Sequence, residues 1–197
     1  MPLPALESRA KLLRVARQSI ESALGGGSLP PVICEGELAE RRGVFVTLTF
    51  RNRLRGCVGQ VEPIEPLGHA VAHSAIAAAT EDTRFARVLL HELPEIEIEL
   101  SVLSLLQPIR PEEIVVGIHG LMVTRGYRRG LLLPQVGGER SWTTERFLEE
   151  TCAKAGLDRK AWKAAGTLIE GFEAGVFSER EVNAALQQAG PRAFLRT

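Results

Sequence analysis

The residues best suited to chemistry in this chain lie together, in Arg55-Gly56-Cys57-Val58-Gly59. On an extended strand the side chains alternate, so Arg55 and Cys57 are expected on one face, about 7 Å apart at the backbone. A guanidinium at that range favours the thiolate, the nucleophilic form of cysteine. Gly56 and Gly59 leave the approach open and let backbone N–H groups come near an anion or a developing oxyanion. The same residues also admit a packing account, in which Cys57 is a small apolar side chain and the glycines permit close strand-to-helix contact. The segment matches neither G-x-G-x-x-G nor the phosphate loop ending in Lys-Ser/Thr, so it supports no nucleotide site.

Other candidates are weaker. His69 and His73 are spaced i, i+4, which suits two metal ligands on one helical face. That face lies opposite the apolar stripe and lacks a third ligand, so a solvated pair is expected and no metal is assigned. Cys152 shares an apolar helix face with Leu148 and Ala155, and Cys34 follows Val32 and Ile33; both read as packed side chains. Three cysteines without a C-x-x-C pair make neither a disulfide framework nor a four-cysteine zinc site. Arg51 and Arg53 flank Asn52 at an expected hairpin tip, where they read as a solvated turn rather than a phosphate-binding stripe.

The elements that must position the cysteine segment are legible from periodicity. Leu6, Leu13, Ala16, Ile20 and Leu24 recur at helical spacing and Gly25 to Gly27 stop them, so an N-terminal amphipathic helix spans residues 5–24. The run 44–50 is β-branched and aromatic, and a second extended run, 54–61, follows the Arg51-Asn52-Arg53 turn as a hairpin. Pro66 opens a helix whose Leu67, Ala70, Val71, Ser74, Ala75 and Ala78 form a narrow face of small residues, able to lie close against a sheet. Residues 95–102 alternate strictly, burying Ile, Leu and Val and turning glutamates to water, which favours antiparallel pairing. Strands 121–124 and 131–133 flank a glycine-assisted loop, residues 125–130, and Pro134 with Gly137-Gly138 marks a longer turn. A helix from about Thr144, a short helix capped by Asp158 and a strand over 167–177 follow. Ser178 and Glu181 form a capping box for a terminal helix closed by Gly190-Pro191.

Composition bounds the function. The 197 residues carry 24 lysines and arginines against 24 aspartates and glutamates, so there is no global field to hold a polyanion and nucleic acid is not expected as a partner, a local patch aside. The longest stretch free of Asp, Glu, Lys and Arg, residues 66–80, holds two histidines and is too short to cross a bilayer. Glu7, Arg9 and Lys11 interrupt any secretory core near the N-terminus, and a cytoplasmic location is expected.

Leu54-Arg55-Gly56-Cys57-Val58-Gly59 resembles the Leu-Arg-Gly-Cys-Ile-Gly signature of the AMMECR-type domain, also called AmmeMemoRadiSam system protein A. The motifs follow that family's order from about residue 5 to 178: Gly43 to Leu48, Pro66-Leu67, Arg84-Phe85, Ile96 to Leu103, His119-Gly120-Leu121, Gly130 to Val136 and Lys154 to Leu157 with Trp162. Val58 replaces the usual Ile, and Thr83 stands where the family's Asp-Pro-Arg-Phe motif has Pro. The resemblance implies a single α+β domain over 1–197, with mainly antiparallel sheets flanked by helices. Its larger lobe holds both termini, its smaller lobe is central, and the cysteine motif is expected near the cleft between them. Residues 179–197 read as a helical extension.

The family's molecular activity is unestablished. The resemblance implies action with a Memo-like protein and a radical S-adenosylmethionine enzyme in a modification pathway; no cofactor is assigned to this chain. His119 matches the family's His-Gly-Leu motif and is the imidazole expected to serve Cys57 as base, unless it merely bonds backbone. Asp82 and Arg84 match the Asp-Pro-Arg-Phe motif and either bind a carboxylate or phosphate or form a helix-end salt bridge. Gln135 and Glu139 border the loop after Leu133 and are expected at the same cleft. The resulting expectation is Cys57, Arg55 and His119 as a catalytic group, with Gly56, Gly59, Asp82, Arg84, Gln135 and Glu139 binding. The alternative is a non-catalytic module that recognises a partner protein or a small anion.

Overall fold

The computed structural model describes residues 3–189. It divides into two compact units, one formed by the chain up to Val102 and rejoined from Gly175, the other by Leu103–Ala174. Both are built from helices and antiparallel strands, the α+β class expected.

In the outer unit, α1 (Leu6–Gly25) ends as the glycines require, on Gly26 in the left-handed region at φ 73°. The hairpin β1 (Val44–Phe50) and β2 (Arg53–Gln60) turns on Arg51 and Asn52, both at positive φ. β3 (Ile96–Leu103) pairs antiparallel with the other edge of β1, giving the order β2-β1-β3. Helix α2 (Leu67–Thr80) buries all six residues of its expected small face. The core joins Leu12, Ala16 and Ile20 of α1 to Val71, Ala75 and Ala78 of α2, over Val44, Val46 and Leu48 of β1 and Ile96, Ile98 and Leu100 of β3. The glutamate row of β3 is less wet than the alternation suggests. Glu95 is exposed, Glu97 and Glu99 are half-buried, and Ser101 is buried at the end of the same face.

β7 (Leu168–Ser178) returns the chain to this unit, and α5 (Glu179–Ala189) follows at once. The capping box forms as expected, with Ser178 N–H donating to Glu181 and Glu181 N–H to the Ser178 hydroxyl. This helix is tied in rather than appended. Val182 enters the main core, and the Glu179 carboxylate accepts from the Arg17 guanidinium and from Ile98 N–H. Arg17 also donates to the carbonyls of Leu93 and Ile96, so one side chain of α1 holds β3 and α5 together. The expected Gly190-Pro191 stop lies outside the described residues.

The middle unit holds β4 (Gln107–Pro108), β5 (His119–Arg125), β6 (Arg128–Leu132), α3 (Pro134–Glu139), α4 (Thr144–Lys154) and the first part of β7. β5 pairs with β6 on one side and β7 on the other, and β4 pairs with β7. Leu121, Phe147 and Leu148 form its core, with Ile114. Two expectations change here. The loop at 125–130 is a two-residue turn, Gly126-Tyr127, because the strands run on through Arg125 and Arg128. Residues 134–139 make a short helix rather than an open turn, with Pro at its first position.

Candidate functional site

The hairpin that carries Cys57 contains a β-bulge. Thr49 pairs with Leu54, but Leu48 pairs with Gly56, so Arg55 has no partner on β1. A bulge inserts one residue and resets the alternation of faces. Arg55 and Cys57 therefore do not share the environment that a regular strand would give them. The Arg55 guanidinium donates through Nε and Nη2 to Glu92, through Nη1 to the Ala86 carbonyl at 2.6 Å, and through Nη2 to the Arg87 carbonyl. The expected Arg55–Cys57 partnership is thus replaced by a strap that fastens β2 to the segment following α2.

The glycines have steric roles in the same junction. A Cβ on Gly56 would collide with the Ala78 carbonyl oxygen of α2, and one on Gly59 with the Val44 carbonyl and the Phe45 ring. Glycine is what lets helix and strands approach this closely.

Cys57 itself is half-buried and lies opposite Thr47, whose own partner on the far side is Glu99. The Thr47 hydroxyl donates to Sγ at 3.5 Å. The main chain of Cys57 is gripped from the end of α2: its N–H donates to Asp82 Oδ2 at 2.8 Å, and its carbonyl accepts from Arg84 Nη2 at 3.1 Å. Asp82 closes the arrangement by accepting from Arg84 Nε at 2.9 Å and Nη2 at 2.6 Å. The Asp82 side chain is 6% exposed, whereas Arg84 keeps 56% of its side chain in solvent.

The electrostatics follow from that geometry. The Arg84 guanidinium, joined by the N–H groups of Cys57 and Arg84, holds the Asp82 carboxyl far below the usual carboxylate range in spite of its burial. Arg84 is raised in turn, chiefly by Asp82 and to a lesser degree by the Cys57 side chain. A guanidinium fixed along one edge and open along the rest is suited to receive a carboxylate or phosphate beside the sulfur.

Thus the structure brings Cys57, Asp82, Arg84 and Thr47 together, all in the outer unit. Thr47 was not singled out by the sequence, because counting back from the hairpin tip pairs it with Gly56; the bulge moves the pairing to Cys57. His119 belongs to the middle unit, where its Nδ1 accepts Val115 N–H at 3.0 Å, leaving Nε2 to carry the proton of the neutral ring. It lines a cavity of about 190 Å³ with Ser104, Gln107 and Glu173. Gln135 and Glu139 stand on α3 of the same unit; Glu139 is exposed, and Gln135 Oε1 is buried with no hydrogen-bond partner among the described residues.

The remaining candidates are accounted for locally. His69 and His73 are exposed, and His73 Nδ1 meets Glu65. Cys152 is fully buried, which pushes its thiol up. Cys34 is half-buried, with its sulfur facing Gly68. Arg51 forms an exposed pair with Glu95. No helix among the described residues is long and apolar enough to cross a membrane.

Comparison with known proteins matches residues 13–177 to the AMMECR1 family model. A protein of Methanothermobacter thermautotrophicus is 43% identical over 192 residues, covering 90% of this chain and 97% of its own. A protein of Methanocaldococcus jannaschii is 42% identical over 190 residues, covering 92% and 94%. The crystal structure of an uncharacterized protein from Pyrococcus horikoshii superposes with a TM-score of 0.79 at 40% identity, over 87% of this chain and 91% of that one. With its hairpin, the cysteine segment on the second strand and the small-faced helix following in that order, the chain belongs to the AMMECR1 family, whose function is unestablished.

Proposed function

We propose that the protein is an enzyme component in which Cys57 is the nucleophile or covalent attachment point for a small substrate bearing a carboxylate or phosphate. Arg84 would hold the anionic group, Asp82 would position Arg84, and Thr47 would orient the sulfur. The observation that carries this reading is the double grip of Asp82, whose one carboxylate anchors both the Cys57 backbone and the exposed Arg84 guanidinium. The resemblance to AmmeMemoRadiSam system protein A adds the expectation that the substrate is passed to or from a Memo-like protein and a radical S-adenosylmethionine enzyme.

Charge-selective alkylation tests it. Iodoacetate and iodoacetamide differ mainly in charge, and Cys34 of the same chain serves as the reference thiol. The expected result is an iodoacetate-to-iodoacetamide rate ratio several-fold higher at Cys57 than at Cys34, abolished by Arg84→Gln and read by mass spectrometry of the intact fold. A Cys57 that stays unmodified until unfolding, or whose ratio equals that of Cys34 and ignores Arg84→Gln, sinks the proposal.

A second reading, a non-catalytic binding module, is favoured by the steric roles of Gly56 and Gly59 and by the engagement of Arg55 with Glu92. It predicts that Cys57→Ala retains full binding to a Memo-like or radical-enzyme partner. Lost binding with an intact circular dichroism spectrum argues against it.

A further inference from the structure

Residues 114–138 contain no aspartate or glutamate, and their only basic side chains besides His119 are Arg125, Arg128 and Arg129. The β5–β6 hairpin gathers these arginines at its tip. Arg125 stands directly opposite Arg128, and Arg129 lies opposite Thr124. Like charges facing one another across a ladder destabilise it, so the hairpin keeps an arrangement that its own stability disfavours.

The end of α4 meets the hairpin. Arg128 Nη1 donates to the Gly156 carbonyl at 2.5 Å, which fixes that guanidinium beside the end of α4. Gly130 packs against the backbone of Lys154 and Ala155, bringing a fourth cationic residue to the hairpin. Arg125, Arg129 and Lys154 are all exposed. At the apex, Gly126 adopts φ 60° and Tyr127 is 93% exposed, so the phenol ring is presented rather than packed.

We infer that this tip binds single-stranded nucleic acid, with phosphates on Arg125, Arg128 and Arg129 and one base stacked on Tyr127. The arginines alone would attract any polyanion; the bare aromatic face selects one whose repeating units have faces to stack. The chain as a whole carries no net charge, so the binding is local and rests on about three phosphate contacts. It does not depend on the chemistry proposed for Cys57.

The test is fluorescence anisotropy of a labelled oligouridylate of about 12 nucleotides against the full chain, from about 50 mM to about 200 mM salt. Three contacts give a log–log salt slope of about −2, hence a loss of roughly 15-fold across that range. Tyr127→Ala is expected to weaken binding by about five-fold or more, with Tyr127→Phe near wild type. Arg125→Glu is expected to weaken it by about ten-fold, while Arg53→Glu, at the other hairpin tip, leaves it unchanged. Circular dichroism verifies the fold of each variant. The inference is overturned by absence of binding at the lowest salt, or by an equal loss with Arg53→Glu. It is also overturned if polyglutamate or phosphatidylserine vesicles compete as well as unlabelled oligonucleotide while Tyr127→Ala has no effect.

Discussion

Two arginine–carboxylate pairs couple β2 to the chain that follows α2, and they use their charge in opposite ways. Arg55 and Glu92 are 16% and 14% exposed, and the guanidinium is engaged with one carboxylate and two backbone carbonyls. Asp82 is as secluded as Glu92, yet its partner Arg84 remains more than half open to solvent. The first pair is a fastening, in which all three guanidinium nitrogens donate to the protein. The second fixes one edge of a guanidinium next to a sulfur and presents the other. Adjacency in sequence linked Cys57 to Arg55; the folded chain gives it Arg84 instead, because a single bulge residue redirects one arginine and a turn after α2 brings back another.

Substitutions should separate the two pairs. The largest effect is expected from Arg55→Ala, which strands the Glu92 carboxylate in a largely buried position and should cost about 3 kcal/mol, measured as a lowered urea midpoint. Gly56→Ala comes next. Its methyl group must displace the α2 backbone at Ala78, a collision with no flexible side chain to absorb it, and a loss of about 2 kcal/mol is expected in the same assay.

Acid should act on both pairs with the same sign. Arg55 holds Glu92 below its ordinary 4.5, and Arg84 holds Asp82 below its ordinary 3.8. A depressed folded-state pKa contributes stability that is complete above the unfolded-state value and is lost as pH falls through the folded one. Glu92→Gln should therefore flatten the upper part of the acid limb, beginning near pH 4.5, and Asp82→Asn the part below pH 3.8, both seen in denaturation midpoints against pH.

Arg84→Gln is the sharpest contrast with Arg55→Ala. Its loss leaves the secluded Asp82 carboxylate with only the N–H groups of Cys57 and Arg84 as donors, so the urea midpoint should fall here too. The contrast lies at the sulfur: the iodoacetate preference of Cys57 disappears with Arg84→Gln and survives Arg55→Ala. An iodoacetate preference lost equally in both variants would erase the distinction between the pairs. The smallest effect is expected from Arg51→Ala, whose pair with Glu95 is open to solvent, and an unchanged melting curve checks it.

Much of the fold was legible because it rests on local signals. The capping box at Ser178, the positive-φ turn at Arg51-Asn52 and the small face of α2 all depend on a few neighbouring side chains. The shape of the 125–130 turn was not, since whether Arg125 and Arg128 join the strands depends on the pairing of β5 with β6. The same holds for the site. Residue types marked Cys57, Asp82 and Arg84, but the Thr47 contact and the diversion of Arg55 follow from a register shift that leaves no mark in composition or periodicity.

By itself, then, the sequence determined the order and kind of the elements, the family, and which side chains are chemically apt. Tertiary structure alone decided which cation stands at the sulfur and which is consumed elsewhere. The physical reason is that helix and strand periods act over a few residues, whereas a guanidinium takes its partners from whatever carbonyls and carboxylates long-range packing sets within hydrogen-bonding reach.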